Sequence, residues 1–199
     1  LKDDACNDFR LWQLEMCGFD KDYAVYKFEI FGLSLTMYNF DRKFYVGLGP
    51  KGRNGKGSEC KLLEYICMKS HPNRGYVFSH EYLSAAAKAK VGANAPDSVA
   101  LDMAHKTIWI ADEQRRTPLC EASIKKCVSG ETNNARQLYS ELRVQQALQG
   151  TLFIYSNFPL IIDMTDQGIK ARLVYMPYTT RYVDNVTEVT KVVKTTHED

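Results

Sequence analysis

The stretch GLGPKGRNGKGSE, residues 47–59, gathers five glycines and three basic residues into thirteen positions. Glycines let backbone amides turn inward toward an anion, and a lysine adds a mobile positive charge. That is the chemistry of a phosphate cradle. The P-loop pattern G-x-x-x-x-G-K-[ST], set between a strand and a helix, works this way. Here Gly55-Lys56 is the G-K pair, and Pro50 stands at the first-glycine position. Gly57 follows the lysine and Ser58 comes one later, so Ser58 or a water completes a metal site. The candidate nucleotide-binding set is Gly52, Asn54, Gly55, Lys56, Gly57 and Ser58, with Lys51 and Arg53 on the outer lip. A solvated turn carrying a few lysines is the competing reading.

A P-loop ATPase also needs a carboxylate at the end of a buried strand, to hold magnesium, and one beside it to polarise water. IWIADE supplies both: Asp112 for the metal and Glu113 for the water. Asn157 closes the apolar run TLFIYSN, where an amide can orient the lytic water, though asparagine also suits a turn before Phe158-Pro159. Arg172 opens RLVYMPY; a cation there can act as an arginine finger across a subunit boundary or be an ordinary surface arginine.

These residues need elements to place them. KFYVGLG (43–49) reads as a strand ending in a glycine turn, and 57–70 as a helix with Leu62, Leu63, Ile66 and Cys67 at helical spacing. Residues 8–17 and 22–33 read as helices. HEYLSAAAKAK and DSVALDMA read as helices too, the second capped by Asp97. TIWIADE, TLFIYSN and ARLVYMPY read as strands, and CEASIKKCVSG as a short helix ending at Gly130. ARQLYSELRVQQALQ fits a helix or a hairpin. Strands alternating with helices imply an α/β fold with a mostly parallel sheet.

Bulk properties set limits. A chain of 199 residues holds one large domain or two small ones. Net charge is +2, too balanced to announce nucleic-acid binding, so any DNA site is local. The six cysteines form no C-x-x-C pair and no zinc spacing, which points to buried free thiols in a reducing compartment. No run of eighteen apolar residues and no secretory signal stands in the chain. Starting at Leu1, the chain is expected to be part of a longer one.

Taken in order, these parts resemble the superfamily 3 helicases of DNA viruses, closest to the poxvirus-type primase-helicases of large nucleocytoplasmic DNA viruses. The likeness spans roughly residues 28–183: FEIFGLSLTMYNFDRKFYVGLG as lead-in, GRNGKGS as the loop, KTIWIADE, IKKCVSGETNNARQLYSE, TLFIYSNFP and KARLVYMPYTTRYV. Gly57 departs from the family's Ser or Thr, and Ala171 from its second arginine.

The resemblance implies an AAA+-like P-loop ATPase core with a hairpin before the sensor strand. It divides the chain into a helical lead-in (1–40), the core (41–183) and a polar tail (184–199). It implies ATP and Mg2+ as cofactors, and a homo-oligomeric ring, usually a hexamer, moving on single-stranded DNA and unwinding forked duplex. Lys56, Asp112, Glu113 and Asn157 act in one subunit, and Arg172 reaches in from the next. The hairpin tip, near Ser140–Val144, carries Arg143 as the phosphate contact, with Arg136 and Lys126 as further candidates. A primase domain in the parent chain, a replication site in the host cytoplasm and no membrane partner complete the expectation. Two rivals stay open: a P-loop ATPase of another role, such as a DNA-packaging motor, and a non-catalytic replication scaffold.

Overall fold

A computed structural model of the chain describes residues 3–36, 39, 41–49, 52–70, 74–90, 97–104, 106–114, 116–130, 132–136 and 143–184. Two helices lead in, α1 (Asp3–Met16) and α2 (Lys21–Ser34). Strand β1 (Phe44–Leu48) and α3 (Lys56–Glu64) follow, and α3 runs on into a π-helical turn, Tyr65–Ser70. Then come β2 (Gly75–Ser79), a 3-10 turn (His80–Leu83), α4 (Ala85–Ala89) and α5 (Ser98–Met103). Next are β3 (Ile108–Gln114), α6 (Glu121–Val128), β4 (Thr132–Arg136) and β5 (Arg143–Ala147). The last elements are β6 (Thr151–Ser156), α7 (Gln167–Lys170) and β7 (Leu173–Pro177).

Five strands form one sheet in the order β2-β3-β6-β1-β7, every pair parallel. β4 and β5 form a separate antiparallel hairpin just before β6. The expected α/β fold, a parallel sheet flanked by helices with a hairpin ahead of the sensor strand, is what the chain adopts.

Both faces of the sheet are covered, which is why the central strands read as continuous apolar runs. Side chains still alternate. Ile108, Ile110, Phe153 and Tyr155 face a layer holding Met16 of α1, Ile30 of α2, and Cys60 and Leu63 of α3. Trp109, Ala111, Leu152 and Ile154 face the other layer, with Met103 of α5, Ile124 and Cys127 of α6, and Ile169 of α7. Trp109 is fully buried, and its indole N–H donates to the Met103 carbonyl at 2.9 Å. That bond removes the cost of burying a polar group.

Local signals set the helix starts. Asp20 caps α2 by accepting from the Tyr23 N–H at 2.9 Å, and Asp97 caps α5 by accepting from Ala100 at 3.0 Å. The long helix expected over 57–70 is α-helical only to Glu64 before its π turn, and HEYLSAAAKAK folds as a 3-10 turn followed by short α4. Cys17, Cys60, Cys67, Cys120 and Cys127 are free thiols, all but Cys120 buried, as expected. Among the described residues no helix is long and apolar enough to cross a membrane. The expected tail beyond 184, Lys51 of the loop lip and residues 140–142 of the expected hairpin tip lie outside the described residues.

Candidate phosphate-binding site

β1 and β6 are neighbours, and the chain leaves their C-terminal ends toward opposite faces of the sheet. After β1 it enters α3, which packs with Met16 and Ile30; after β6 it reaches α7, whose Ile169 packs on the other side. Such a divergence opens a crevice at the carboxyl ends of the strands, where α/β proteins bind ligands. A cavity of about 180 Å³ lies there, lined by Gly52, Arg53, Asn54, Lys56, Gly57, Tyr155, Ser156 and Asn157.

The loop is built to expose its backbone. Gly55, the residue before α3, has φ 85°, a left-handed conformation that favours glycine, and no side chain caps the helix there. A Cβ at Gly55 would also collide with Met16 Sδ from α1. The N-terminus of this nine-residue helix is an anion-favouring end. Lys56 is its first residue, 8% exposed. Its Nζ donates to the Gly49 carbonyl at 2.8 Å and to Asn157 Oδ1 at 2.5 Å. Asn54 is buried and accepts from the Lys56 N–H at 3.4 Å.

Of the six loop residues expected from sequence, Gly52, Asn54, Lys56 and Gly57 line the cavity. Gly55 supplies the turn, and Ser58 lies exposed on the next residue of α3, outside the lining. Arg53 stands at the exposed rim, φ 58°, paired through its guanidinium with Asp184. Sequence reasoning missed Tyr155 and Ser156 as lining residues. Ser156 Oγ accepts from Phe158 N–H at 3.0 Å and donates to the Phe158 carbonyl at 2.7 Å, so it shapes the turn that presents Asn157.

Asp112 and Glu113 occupy the end of β3, the strand beside β6. Ala111 pairs with Ile154 and Gln114 with Ser156, so three steps on β3 oppose two on β6. The two acids sit in this irregularity, at the cavity end of the sheet. Bulges of this kind are common beside active sites because they re-aim side chains.

Arg172 is not brought to the cavity of its own chain. It precedes Leu173, which is level with Phe44 at the start of β1, so it lies at the N-terminal end of the strands, opposite the loop. Five strand residues separate that end from the loop, about 16 Å at ~3.3 Å each. Its guanidinium donates to the Gly168 carbonyl at 2.8 Å.

The hairpin candidates divide. Arg136 and Arg143 are register partners at the end of the β4–β5 ladder next to residues 137–142. Of the tip expected near 140–144, Arg143 and Val144 belong to β5, and residues 140–142 lie outside the described residues. The hydrogen-bonding preference of the strand ladder places Arg143 in β5, since register pairs 136 with 143. Lys126 is exposed in the last turn of α6 and does not line the cavity.

The residues present fit a phosphate chain: a helix N-terminus with glycine at its N-cap, a buried lysine and a polar-lined cavity. Among the described residues no group of three His, Cys, Asp or Glu could hold a metal alone.

No family model matches the chain, and no curated protein matches it. A JCV helicase solved with a small molecule bound overlays with a TM-score of 0.45 at 11% identity, over 82% of this chain and 42% of that one. That likeness is too slight to bear on fold or function. The C-terminal region of NrS-1, solved in an A-form apo state, is similar at a TM-score of 0.55 and 15% identity, over 89% of this chain and 39% of that one. A second structure of that region gives 0.53, again at 15% identity, over 89% and 38%. The chain thus spans less than two-fifths of those structures, and the likeness establishes its fold.

Proposed function

We propose that the chain is the motor core of an ATP-dependent DNA helicase from a viral replication protein of the superfamily 3 type. The observation that carries this reading is the Lys56–Asn157 contact across the crevice between β1 and β6. It joins the loop after one strand to the tip of the next, with the acidic end of β3 one strand further along.

Bound ATP with Mg2+ would supply a reactive phosphoanhydride and a metal charge to offset the developing negative charge. Lys56 and the first-turn amides of α3 would hold the phosphates, and Asp112, with Ser58 or water, would hold the metal. Lys56 then exchanges its present partners, the Gly49 carbonyl and Asn157, for phosphate oxygens. Asn157, released, can orient a water with its amide. Glu113 can accept that water's proton. Arg172, at the end of the strands opposite its own loop, can serve only a neighbour's site, which favours a ring of copies with a hexamer as the family's usual number. The paired Arg136 and Arg143 would meet single-stranded DNA in the ring's channel.

The test is ATP turnover and fork unwinding by the parent protein, with and without single-stranded DNA. Turnover stimulated by DNA and coupled to unwinding is expected. Turnover without unwinding would move the chain to another P-loop motor, such as DNA packaging. Binding without turnover would make it a scaffold.

A further inference from the structure

Directly behind the loop lies a buried ionic cluster that the proposed chemistry does not use. Glu59, fully buried, is three residues after Lys56 on α3. Its Oε2 accepts from Lys27 Nζ of α2 at 2.6 Å, and Lys27 is only 1% exposed. Its Oε1 accepts from the Tyr178 hydroxyl and, at 3.4 Å, from the Tyr155 hydroxyl. Lys27 Nζ also lies 3.3 Å from the Tyr178 hydroxyl and 4.3 Å from the centre of its ring. Burial pushes the Glu59 carboxyl above its usual range, and the Lys27 ammonium pulls it back. A buried pair of this sort is a poor source of stability, since apolar residues of similar volume often serve as well or better. What it does offer is a single permitted geometry.

That geometry joins four elements around the loop: α2 through Lys27, α3 through Glu59, β6 through Tyr155 and the segment after β7 through Tyr178. Other contacts bring the same partners to the loop. Met16 Sδ of α1 abuts Gly55. The Tyr178 N–H donates to Leu48 at 2.8 Å, and the Tyr182 N–H to Arg53 at 2.7 Å. The Thr180 hydroxyl donates to the Glu15 carbonyl of α1 at 2.6 Å. The lead-in helices and the segment after β7 thus form the back wall of the phosphate loop.

We propose that Lys27 and Glu59 are positioning residues for the phosphate loop, coupling the docking of α1–α2 to anion binding at the first turn of α3. This rests on the phosphate-site reading. Because α3 carries Lys56 and Glu59 one turn apart, tilting the helix to satisfy one displaces the other. Coupling is reciprocal, so bound phosphates must also hold α1–α2 more tightly.

The test uses the full chain with ATP and Mg2+. Affinity is measured for wild type, Lys56→Ala, Lys27→Met, Glu59→Gln and Lys27→Arg, each confirmed as folded. Amide hydrogen exchange is followed with and without nucleotide. Lys27→Met and Glu59→Gln should each weaken ATP binding by about tenfold, within the ~5–150-fold span of ordinary coupling, and Lys27→Arg should restore it to within about twofold of wild type. ATP should slow exchange in α1–α2 as well as over residues 52–60 in wild type, and only over 52–60 in Lys27→Met. If Lys56→Ala binds ATP as well as wild type, the phosphate-site reading falls and this proposal with it. If Lys56→Ala loses ATP but folded Lys27→Met and Glu59→Gln keep wild-type affinity, the reading stands and the pair is packing only. Should both charge variants fail to fold, wild-type exchange decides: slowing confined to 52–60 overturns the coupling.

Discussion

Lys56 Nζ and Asn157 Oδ1 stand 2.5 Å apart, although 101 positions separate them in the chain. The start of α3 and the residue after β6 therefore share one hydrogen bond, and the lysine lies in the lining of the cavity at this end of the sheet. Lys56→Ala should lower ATP turnover at least ~100-fold, the scale of losing one charge-stabilising group, with the far-ultraviolet circular dichroism unchanged. Asn157→Asp should also weaken ATP binding, because the new carboxylate pairs with Lys56 and repels phosphate. Wild-type affinity in both variants, by equilibrium dialysis, would remove the P-loop assignment.

Asp112 and Glu113 should separate when mutated singly. Glu113→Gln keeps size and hydrogen bonding but not the proton acceptor, so ATP should bind while turnover falls by about 10²–10⁴-fold. Asp112→Asn should raise the magnesium concentration needed for half-maximal turnover. Normal kinetics from both would leave the bulged end of β3 as a solvated pair of acids.

Arg172 lies at the end of the strands opposite the loop, so its effect should appear only between subunits. Arg172→Ala should keep ATP binding and lose turnover by about 10³–10⁵-fold, the worth of an arginine finger. Mixed with Lys56→Ala in rings shown to exchange subunits, it should regain part of the activity, because some interfaces then hold both intact parts. Full activity in Arg172→Ala alone would rule the role out and bring Lys170 forward.

Arg136 and Arg143 share a register position at the end of the β4–β5 ladder next to residues 137–142. Two like charges directly opposite are unfavourable unless an anion lies between them. Affinity for single-stranded DNA should fall steeply with salt, and Arg143→Ala should weaken binding equally for all sequences, since phosphates carry no base information. The salt slope of log K should become shallower by about 0.7 per lost contact. An unchanged slope in the double variant with Arg136→Ala would send the contact elsewhere, with Lys126 next.

Stability should decline above pH 9. Burial pushes the Cys127 thiol up to about 12 and the Cys67 thiol to about 11, from an ordinary value of 9.0. Tyr45 is raised to about 12 by burial, and Tyr82 is raised further. The folded chain therefore holds protons that the unfolded chain releases. The stability tied to these groups is complete below pH 9 and drains away as pH rises toward 12. Urea midpoints at pH 7, 9 and 10.5 check this, and a midpoint that does not fall with pH would contradict the burial of these groups.

The sequence by itself determined the local parts of this protein. Glycines and a lysine between an apolar strand and an apolar helix announce the tight loop between β1 and α3, because turn conformation and helix start depend on near neighbours. IWIAD and TLFIYS read as buried strands, because a strand covered on both faces must be apolar throughout. β2, five residues at the edge of the sheet, and four-residue α7 escaped notice because neither is long enough to show a period.

Only the tertiary structure decided what stands beside what. Nothing near Lys27 announces Glu59, 32 positions on, as its partner, since a buried carboxylate and an exposed one look alike in sequence. The strand order put Asn157 next to Lys56, and the parallel register of β7 on β1 left Arg172 at the opposite end of the strands. The β4–β5 register, not the composition of the turn, set Arg143 level with Arg136. Each of these is a long-range juxtaposition, fixed by which strands pair and in what register, and the local preferences of the chain carry no record of it.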